Sequence, residues 1–329
     1  MSTMAALAAT AMASDEPKLP AHVHLLSSVS NPFVKHVVKL RQSSTYRHAS
    51  GALVLVGDVP LREVCDIAQT KLGKEAFIEY LFLLEDTNAG DSLARFAQRV
   101  VRVTPNVMQK ISGVQSAEGC NAIGITCFPS TFCSVENAVE DYPTPLSTWC
   151  HSPQRLLALD GIQDPGNLGT LLRTAAAFDW DGVFLFNGCC DPFNEKVVRA
   201  SRGACFWIPI ACGHWRQLRG LAEKRKMVFY AGESQGRVSR LASEQKVSSE
   251  QERGSYVTVS PGVYPLREDD SMHESLCLIL GNEGRGLSKE SRASCRLVSI
   301  PMPGKFESLN VAVAGGILLY LLQKRLHRT

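Results

Sequence analysis

From residue 21 onward the apolar positions follow two rhythms, short unbroken runs and clusters at helical spacing. Asn31-Pro32 opens a turn, after which Phe33, Val34, Val37 and Val38 predict a short amphipathic helix whose outer face carries Lys35 and Lys39. Apolar runs at 52–56, 80–84 and 100–103 predict strands, and helical patterns occur near 61–70, 91–98 and 105–112. This alternation predicts a small α/β domain over 21–135. Residues 136–154, with Pro143, Pro145 and Pro153 among polar and acidic neighbours, read as a linker.

A second alternating pattern fills 155–329, with strand candidates at 156–159, 183–186, 207–210, 228–230, 277–280 and 297–300. Nearly continuous apolar strands separated by helices predict a parallel sheet covered on both faces, with function at the carboxyl ends of the strands. The stretch 233–274 interrupts this rhythm with a Ser, Glu, Gln and Arg-rich composition and reads as a surface insertion. The apolar stretch from Leu309 to Leu322 is shorter than the roughly 18 residues of a membrane span and reads as a buried helix, so no membrane partner is expected.

A length of 329 residues with 45% hydrophobic and 20% charged residues favours two domains. The 35 basic against 32 acidic residues give a net charge of +3, which permits a nucleic-acid partner without identifying one. The 11 cysteines are odd in number and lie mostly in apolar runs, which fits buried thiols in a reducing compartment. Without a CxxC pair or an HExxH helix, no metal is expected. Residues 1–20 fit a disordered tail or a weak targeting segment, which leaves chloroplast, mitochondrion, cytoplasm and nucleus open.

Three segments carry candidate chemistry. The first, Leu159 to Phe178, is a strand, a Gly/Pro turn and a helix expected to be capped by Asn167, with Leu168, Leu171, Leu172, Ala175 and Ala176 as its apolar stripe. Gly169 and Ala177 leave space on the flank from which Arg173 projects, and a cation there suits a backbone phosphate. The second, Leu278 to Leu287, is an apolar strand ending in a loop with Gly281, Gly284 and Gly286, where backbone can approach a ligand closely. Its GxxGxG spacing differs from the dinucleotide-binding GxGxxG. The third, Val298 to Ala314, is a strand, a Pro/Gly loop and a helix with Ser308 expected as the cap, which leaves the Asn310 amide in need of other partners.

In order, spacing and residues, DPGNLGTLLRTAAAF, LGNEGRGL and IPMPGKFESLNVAVA resemble the three motifs of the SpoU family of SPOUT RNA methyltransferases. The resemblance spans about 155–325 and includes Asn194 to Ala204, which is similar to the family's intervening helix. Ser28 to Lys35, with 111–114 and 121–123, resembles the small RNA-binding domain that precedes many SpoU catalytic domains. The sequence departs from the family in Val54 to Val59, where such front domains commonly carry an acidic residue and glycine. It also departs in the insertion after Tyr230 and at Pro303.

The resemblance implies a C-terminal α/β trefoil-knot domain with a parallel sheet, preceded by a small α/β RNA-binding domain, and assembly as a homodimer. It implies S-adenosyl-L-methionine as cofactor, contacted by Gly281, Ile300 and Leu309 with Glu283, Gly286 and Met302 on the same loops. Asn167, Arg173, Glu283, Ser308 and Asn310 would form the active site, and the reaction would be methylation of an RNA ribose 2′-hydroxyl, in ribosomal RNA before transfer RNA. The family's arginine is described as the base. A guanidinium does not readily lose a proton, so phosphate binding and stabilisation of developing oxyanion charge suit Arg173 better. Two competing readings are a dinucleotide-dependent oxidoreductase, disfavoured by the missing GxGxxG, and an RNA-binding protein with an inactive methyltransferase fold, disfavoured by intact Asn167, Arg173, Ser308 and Asn310.

Overall fold

The computed structural model describes residues 17–73, 76–85, 91–114, 120–135, 149–234, 256–258, 275–282 and 284–324. They form two compact units, one of Met1–Ser130 with Asp191–Trp207, the other of Thr131–Cys190 with Ile208–Thr329.

In the first unit, β1 (Leu25–Leu26) precedes α1 (Pro32–Gln42), whose N-cap Asn31 accepts a hydrogen bond from Phe33 N at 2.8 Å. Its buried face is Phe33, Val34, His36, Val37 and Leu40, and His36 Nδ1 meets the Tyr46 hydroxyl at 2.8 Å. Then follow α2 (Ser44–Ser50), β2 (Ala52–Val56), α3 (Asp58–Leu72) and β3 (Ile78–Leu84). The helix expected near 91–98 is a 3-10 turn, Asp91–Phe96, that gives way to β4 (Ala97–Val103), because full pairing with β3 extends the strand back to the Ile78↔Ala97 register. After α4 (Pro105–Ser112) comes β5 (Ala122–Cys127), a strand hidden in the sequence by Gly124, which interrupts a β pattern. The sheet order is β1-β4-β3-β5-β2, with β5 antiparallel to both neighbours.

The second unit opens with β6 (Phe132–Ser134) and β7 (Arg155–Asp160), followed by α5 (Pro165–Ala177) and β8 (Gly182–Phe186). The chain then contributes α6 (Glu195–Ser201) and α7 (Ala204–Trp207) to the first unit. There the buried Arg47 guanidinium donates to Asp191 Oδ2 at 2.8 and 2.5 Å and also caps the carbonyls of Leu40 and Arg41. The strand expected at 207–210 is instead β9 (Ile210–Gly213), since Pro209 has no N–H to donate and pairing begins beyond it.

The second unit continues with α8 (Trp215–Arg225), β10 (Val228–Gly232), β11 (Tyr256–Thr258), β12 (Leu276–Gly281), α9 (Lys289–Ser294), β13 (Arg296–Ser299) and α10 (Val311–Leu321). Its eight strands, in the order β11-β13-β10-β12-β7-β8-β9-β6, are all parallel, as the apolar strands required. Within the stretch read as an insertion, Tyr256–Thr258 forms a strand paired with β13; residues 235–255 and 259–274 lie outside those described. Among the described residues no helix is long and apolar enough to cross a membrane.

Candidate active site

The carboxyl ends of β7, β12, β10 and β13 stand side by side, and the loops that leave them build the site. Leaving β7, the chain turns at Gly161 with φ 75° and enters α5 at Asp164, whose side chain accepts from Asn167 N at 2.8 Å. Asp164, not Asn167, is therefore the cap of α5, with Pro165 at the first helical position, and the Asn167 side chain is released for other work. Leu168, Leu171, Leu172 and Ala175 are buried with Gly169, Ala176 is half-buried, and Arg173 and Ala177 are exposed.

The loop after β12 is tied to that turn. Gly281 pairs in register with Asp160, Asn282 Nδ2 donates to Gly161 O at 2.8 Å, and Asn282 Oδ1 accepts from the backbone N–H groups of Gly284 and Arg285. Asp160 Oδ2 receives Ser288 N at 3.0 Å and the Ser291 hydroxyl at 2.5 Å. Beneath it, the Cys189 thiol donates to Leu159 O at 3.2 Å, and burial pushes its pKa up to about 11, so it is a neutral donor. The loop doubles back so closely that a Cβ on Gly281 would lie 2.5 Å from Gly286 C and 2.6 Å from Leu287 N. Only glycine allows this approach.

The third loop runs from Ile300 to the start of α10. Its cap is Asn310, not Ser308: Asn310 Oδ1 accepts from Ala312 N at 2.9 Å and Val313 N at 3.3 Å. Far from being a buried amide short of partners, Asn310 is exposed, and its Nδ2 donates to Asn167 Oδ1 at 3.1 Å. Two residues 143 positions apart are thus joined. α10 packs on α5 and β12 at Gly315, where a Cβ would meet Leu171 Cδ2 at 2.4 Å. At its far end the buried Arg155 donates from Nε to Leu322 O at 2.8 Å, closing the last turn.

These loops enclose a cavity of about 300 Å³. Gly281, Gly286, Ile300, Met302, Ser308 and Leu309 line it, so the structure brings together residues of the second and third motifs. Asn167, Arg173 and Asn310 are not among the lining residues, although Asn310 stands between two that are, Leu309 and Val311. Arg173 projects from α5 as an exposed cation. Glu283 lies outside the described residues. Residues missed at the sequence level are Gly232 at the end of β10, Glu233 and Ser234 after it, Asn282, and Glu307. Glu233, read as the start of a surface insertion, has a side chain only 5% exposed; its Oε2 accepts from Arg292 Nε at 3.2 Å and its backbone N–H bonds Val298 O. A carboxylate following an apolar strand run was the available signal.

The model of the SpoU rRNA Methylase family matches residues 154–320. A 23S rRNA (guanosine(2553)-2′-O)-methyltransferase, RlmP, of Bacillus subtilis is 34% identical over 209 residues, covering 61% of this chain and 73% of the relative. The mitochondrial rRNA methyltransferase 3 of Xenopus tropicalis is 27% identical, covering 89% of this chain and 74% of its own. Among solved structures, an AdoMet-bound rRNA methyltransferase from Sinorhizobium meliloti superimposes with a TM-score of 0.64 at 25% identity, covering 91% of this chain and 97% of that one.

A parallel α/β sheet whose strand-end loops close on a small-molecule cavity, joined to the family match, defines an RNA methyltransferase. The residues present fit a ligand like the AdoMet held by the Sinorhizobium meliloti protein: the cavity reaches the size of small-ligand sites, and apolar side chains, close glycine backbone and a few polar groups share its wall. The chain belongs to the SpoU rRNA methylase family.

Proposed function

We propose that this protein methylates the 2′-hydroxyl of a ribose in ribosomal RNA, with Gly281, Gly286, Ile300, Met302 and Leu309 around the cofactor and Asn167, Arg173, Ser308 and Asn310 at the reacting ribose. The observation that carries the reading is the Asn310–Asn167 hydrogen bond beside a cavity walled by the second and third motif loops. Ribosomal RNA as substrate is supported by the Bacillus subtilis and Xenopus tropicalis relatives, both rRNA methyltransferases.

The cofactor supplies an electrophilic methyl group on a sulfonium. The protein's task is alignment of the ribose oxygen and care of its proton. Asn310 is held at both ends, its oxygen by the helix N-terminus and its amide nitrogen by Asn167, so both side chains are fixed in place before substrate arrives. Ser308, exposed and on the cavity wall, offers a hydroxyl that can accept or donate. Arg173 is exposed and outside the cavity wall; in this reading its guanidinium binds a backbone phosphate and stabilises negative charge as it develops on the 2′-oxygen.

A knotted path for the chain is supported by its order. It leaves β12, passes β10 to form β13, and returns in α10 to pack against α5 and β12. Assembly as a homodimer is supported by α10, an apolar helix that leaves Val313 and Tyr320 about half exposed. A second copy is the proposed occupant of that face, and sedimentation of the purified protein at micromolar concentration tests it: a monomer there refutes the dimer.

The functional test is methyl transfer from labelled cofactor to ribosomal RNA from cells lacking the protein, with product positions read as resistance to alkaline cleavage. Arg173→Ala is expected to lower kcat/KM about 100- to 1000-fold, the usual scale for removing a group that stabilises a developing oxyanion, while leaving cofactor affinity unchanged. Alkali-labile product, or a methylated base, would overturn the ribose assignment. Full activity in Arg173→Lys with an unchanged pH profile would overturn the role given to the guanidinium.

A further inference from the structure

Phe306 is 84% exposed, the most exposed of the large apolar side chains among the described residues. It lies in the third motif loop, two residues before Ser308 and four before the Asn310 cap, and it is not part of the cavity wall although its neighbour Glu307 is. The loop is anchored on both sides: Pro301 and Pro303 restrict its entry and the Asn310 cap fixes its exit. On so restrained a segment the aromatic ring stands largely in water. Its flank carries a cation, since Lys305 beside it is exposed.

An aromatic face next to a cation is the composition of a single-strand RNA platform, in which an unstacked base covers the ring and the charge takes a flanking phosphate. Two residues of chain span at most about 7 Å, which places the ring within a nucleoside's reach of the Ser308 hydroxyl. In-line transfer to a ribose oxygen requires the nucleotide in one orientation, and a base turned out of its stack needs a new surface.

We propose that Phe306 is the stacking platform for the base of the target nucleotide, or of its immediate neighbour, with Lys305 on the adjoining phosphate. The inference rests on the ribose-methylating reading above. It assigns the specificity of this loop to an unpaired RNA segment, and it gives the exposed ring a partner other than cofactor or a second copy of the chain.

Three full-length proteins test it, the parent, Phe306→Ala and Phe306→Trp, each assayed for methyl transfer to ribosomal RNA from cells lacking the protein, for S-adenosylhomocysteine affinity by calorimetry, and for mass by light scattering. Loss of one base-stacking contact is worth about 5- to 150-fold, so Phe306→Ala should lower kcat/KM for RNA by that factor with ligand affinity and mass unchanged. Phe306→Trp should retain activity, and its added indole fluorescence should be quenched by the same RNA. Activity of Phe306→Ala within twofold of an active parent overturns this proposal alone. A changed mass in Phe306→Ala assigns the ring to a subunit contact, weakened ligand affinity assigns it to the cofactor, and each overturns the proposal. A parent that transfers no methyl group to ribose removes the reading on which it rests.

Discussion

Replacing Gly281 with alanine tests the geometry of the cofactor cavity at its tightest point. The added methyl would lie 2.5 Å from Gly286 C, 2.6 Å from Leu287 N and 2.7 Å from Gly286 O, against ordinary contacts that begin at 3.4 Å. All three obstacles are backbone, so no rotamer change relieves them; the loop must withdraw by about 0.9 Å or the strand end must twist. Withdrawal would strain the Gly286 N to Asn282 O hydrogen bond of 2.8 Å and disturb Leu287, which is buried in the core of the second unit. Overpacking of this kind costs about 1–3 kcal/mol, which for a domain of this size lowers Tm by roughly 2–12 °C. Because Gly281 and Gly286 both line the cavity, cofactor affinity should fall at least about tenfold, equal to 1.4 kcal/mol. Gly304→Ala is the control: nothing lies within 4 Å of its added methyl, and both Tm and affinity should stay near the parent. Calorimetric titration with S-adenosylhomocysteine and thermal melts of the two variants decide the matter. If Gly281→Ala binds within twofold of the parent and melts at the same temperature, the close loop approach is not what shapes the cavity.

Three further expectations concern named contacts. Asn310→Asp keeps the acceptor that caps α10 but removes the amide donor to Asn167, so Tm should stay close to the parent while methyl transfer falls by at least about tenfold; Asn310→Ala should add a cap loss of about 1 kcal/mol. Equal activity of Asn310→Asp and parent would dismiss the Asn310–Asn167 bond from the reaction. In the first unit, burial would raise the pKa of Asp191, but the His48 and Arg47 contacts outweigh it and hold the carboxyl at about 2, below its ordinary 3.8. A depressed carboxylate contributes stability in full above pH ~4, and that contribution, about 2 kcal/mol at 1.36 kcal/mol per pKa unit, is lost as pH falls through 3.8 toward 2. Asp191→Asn should therefore flatten the melting curve between pH 5 and pH 2 and destabilise the unit at neutral pH by about 3–5 kcal/mol; an unchanged acid limb counts against the pair. Burial pushes the Cys65 and Cys205 thiols up to about 12, so at pH 8 both stay protonated and resist a disulfide reagent in native protein, whereas exposed Cys127 reacts. Mass mapping after brief labelling checks this, and early modification of Cys205 would contradict its burial.

The second unit was legible because its strands are continuous apolar runs and its three motif loops are dense in glycine, proline and asparagine. Burial on both faces of a parallel sheet writes itself into sequence. What escaped were contacts set by tertiary pairing. Asn167 and Ser308 both have the chemistry of a helix cap and stand where caps belong, yet the helices begin at Asp164 and Asn310; local propensity cannot rank two good caps three or two residues apart. β5 was masked by Gly124 and β9 was displaced by Pro209, where pairing with neighbours outweighs the local pattern. Asp160 and Asn282 hold the loops together through hydrogen bonds to residues that pair only after the sheet has formed. Polar composition also hid Glu233, which lines the cavity and pairs with Arg292.

The sequence from Asp191 to Trp207, which sits between two strands of the second unit, completes the first. Asp191 supplies the carboxylate for Arg47, and Phe193 stacks on Phe128 with ring centroids 4.4 Å apart. A ribosome that has made residues 1–130 has therefore not yet made all of that unit's interior; Arg47 waits for a partner 144 positions downstream. The first unit therefore cannot be complete until synthesis has passed Trp207, whereas domains strung end to end mature one after another. Truncation at any linker position before 191 would deliver a first unit with a buried guanidinium and no counter-charge, and swapping front units between relatives would require moving two separate pieces of gene together.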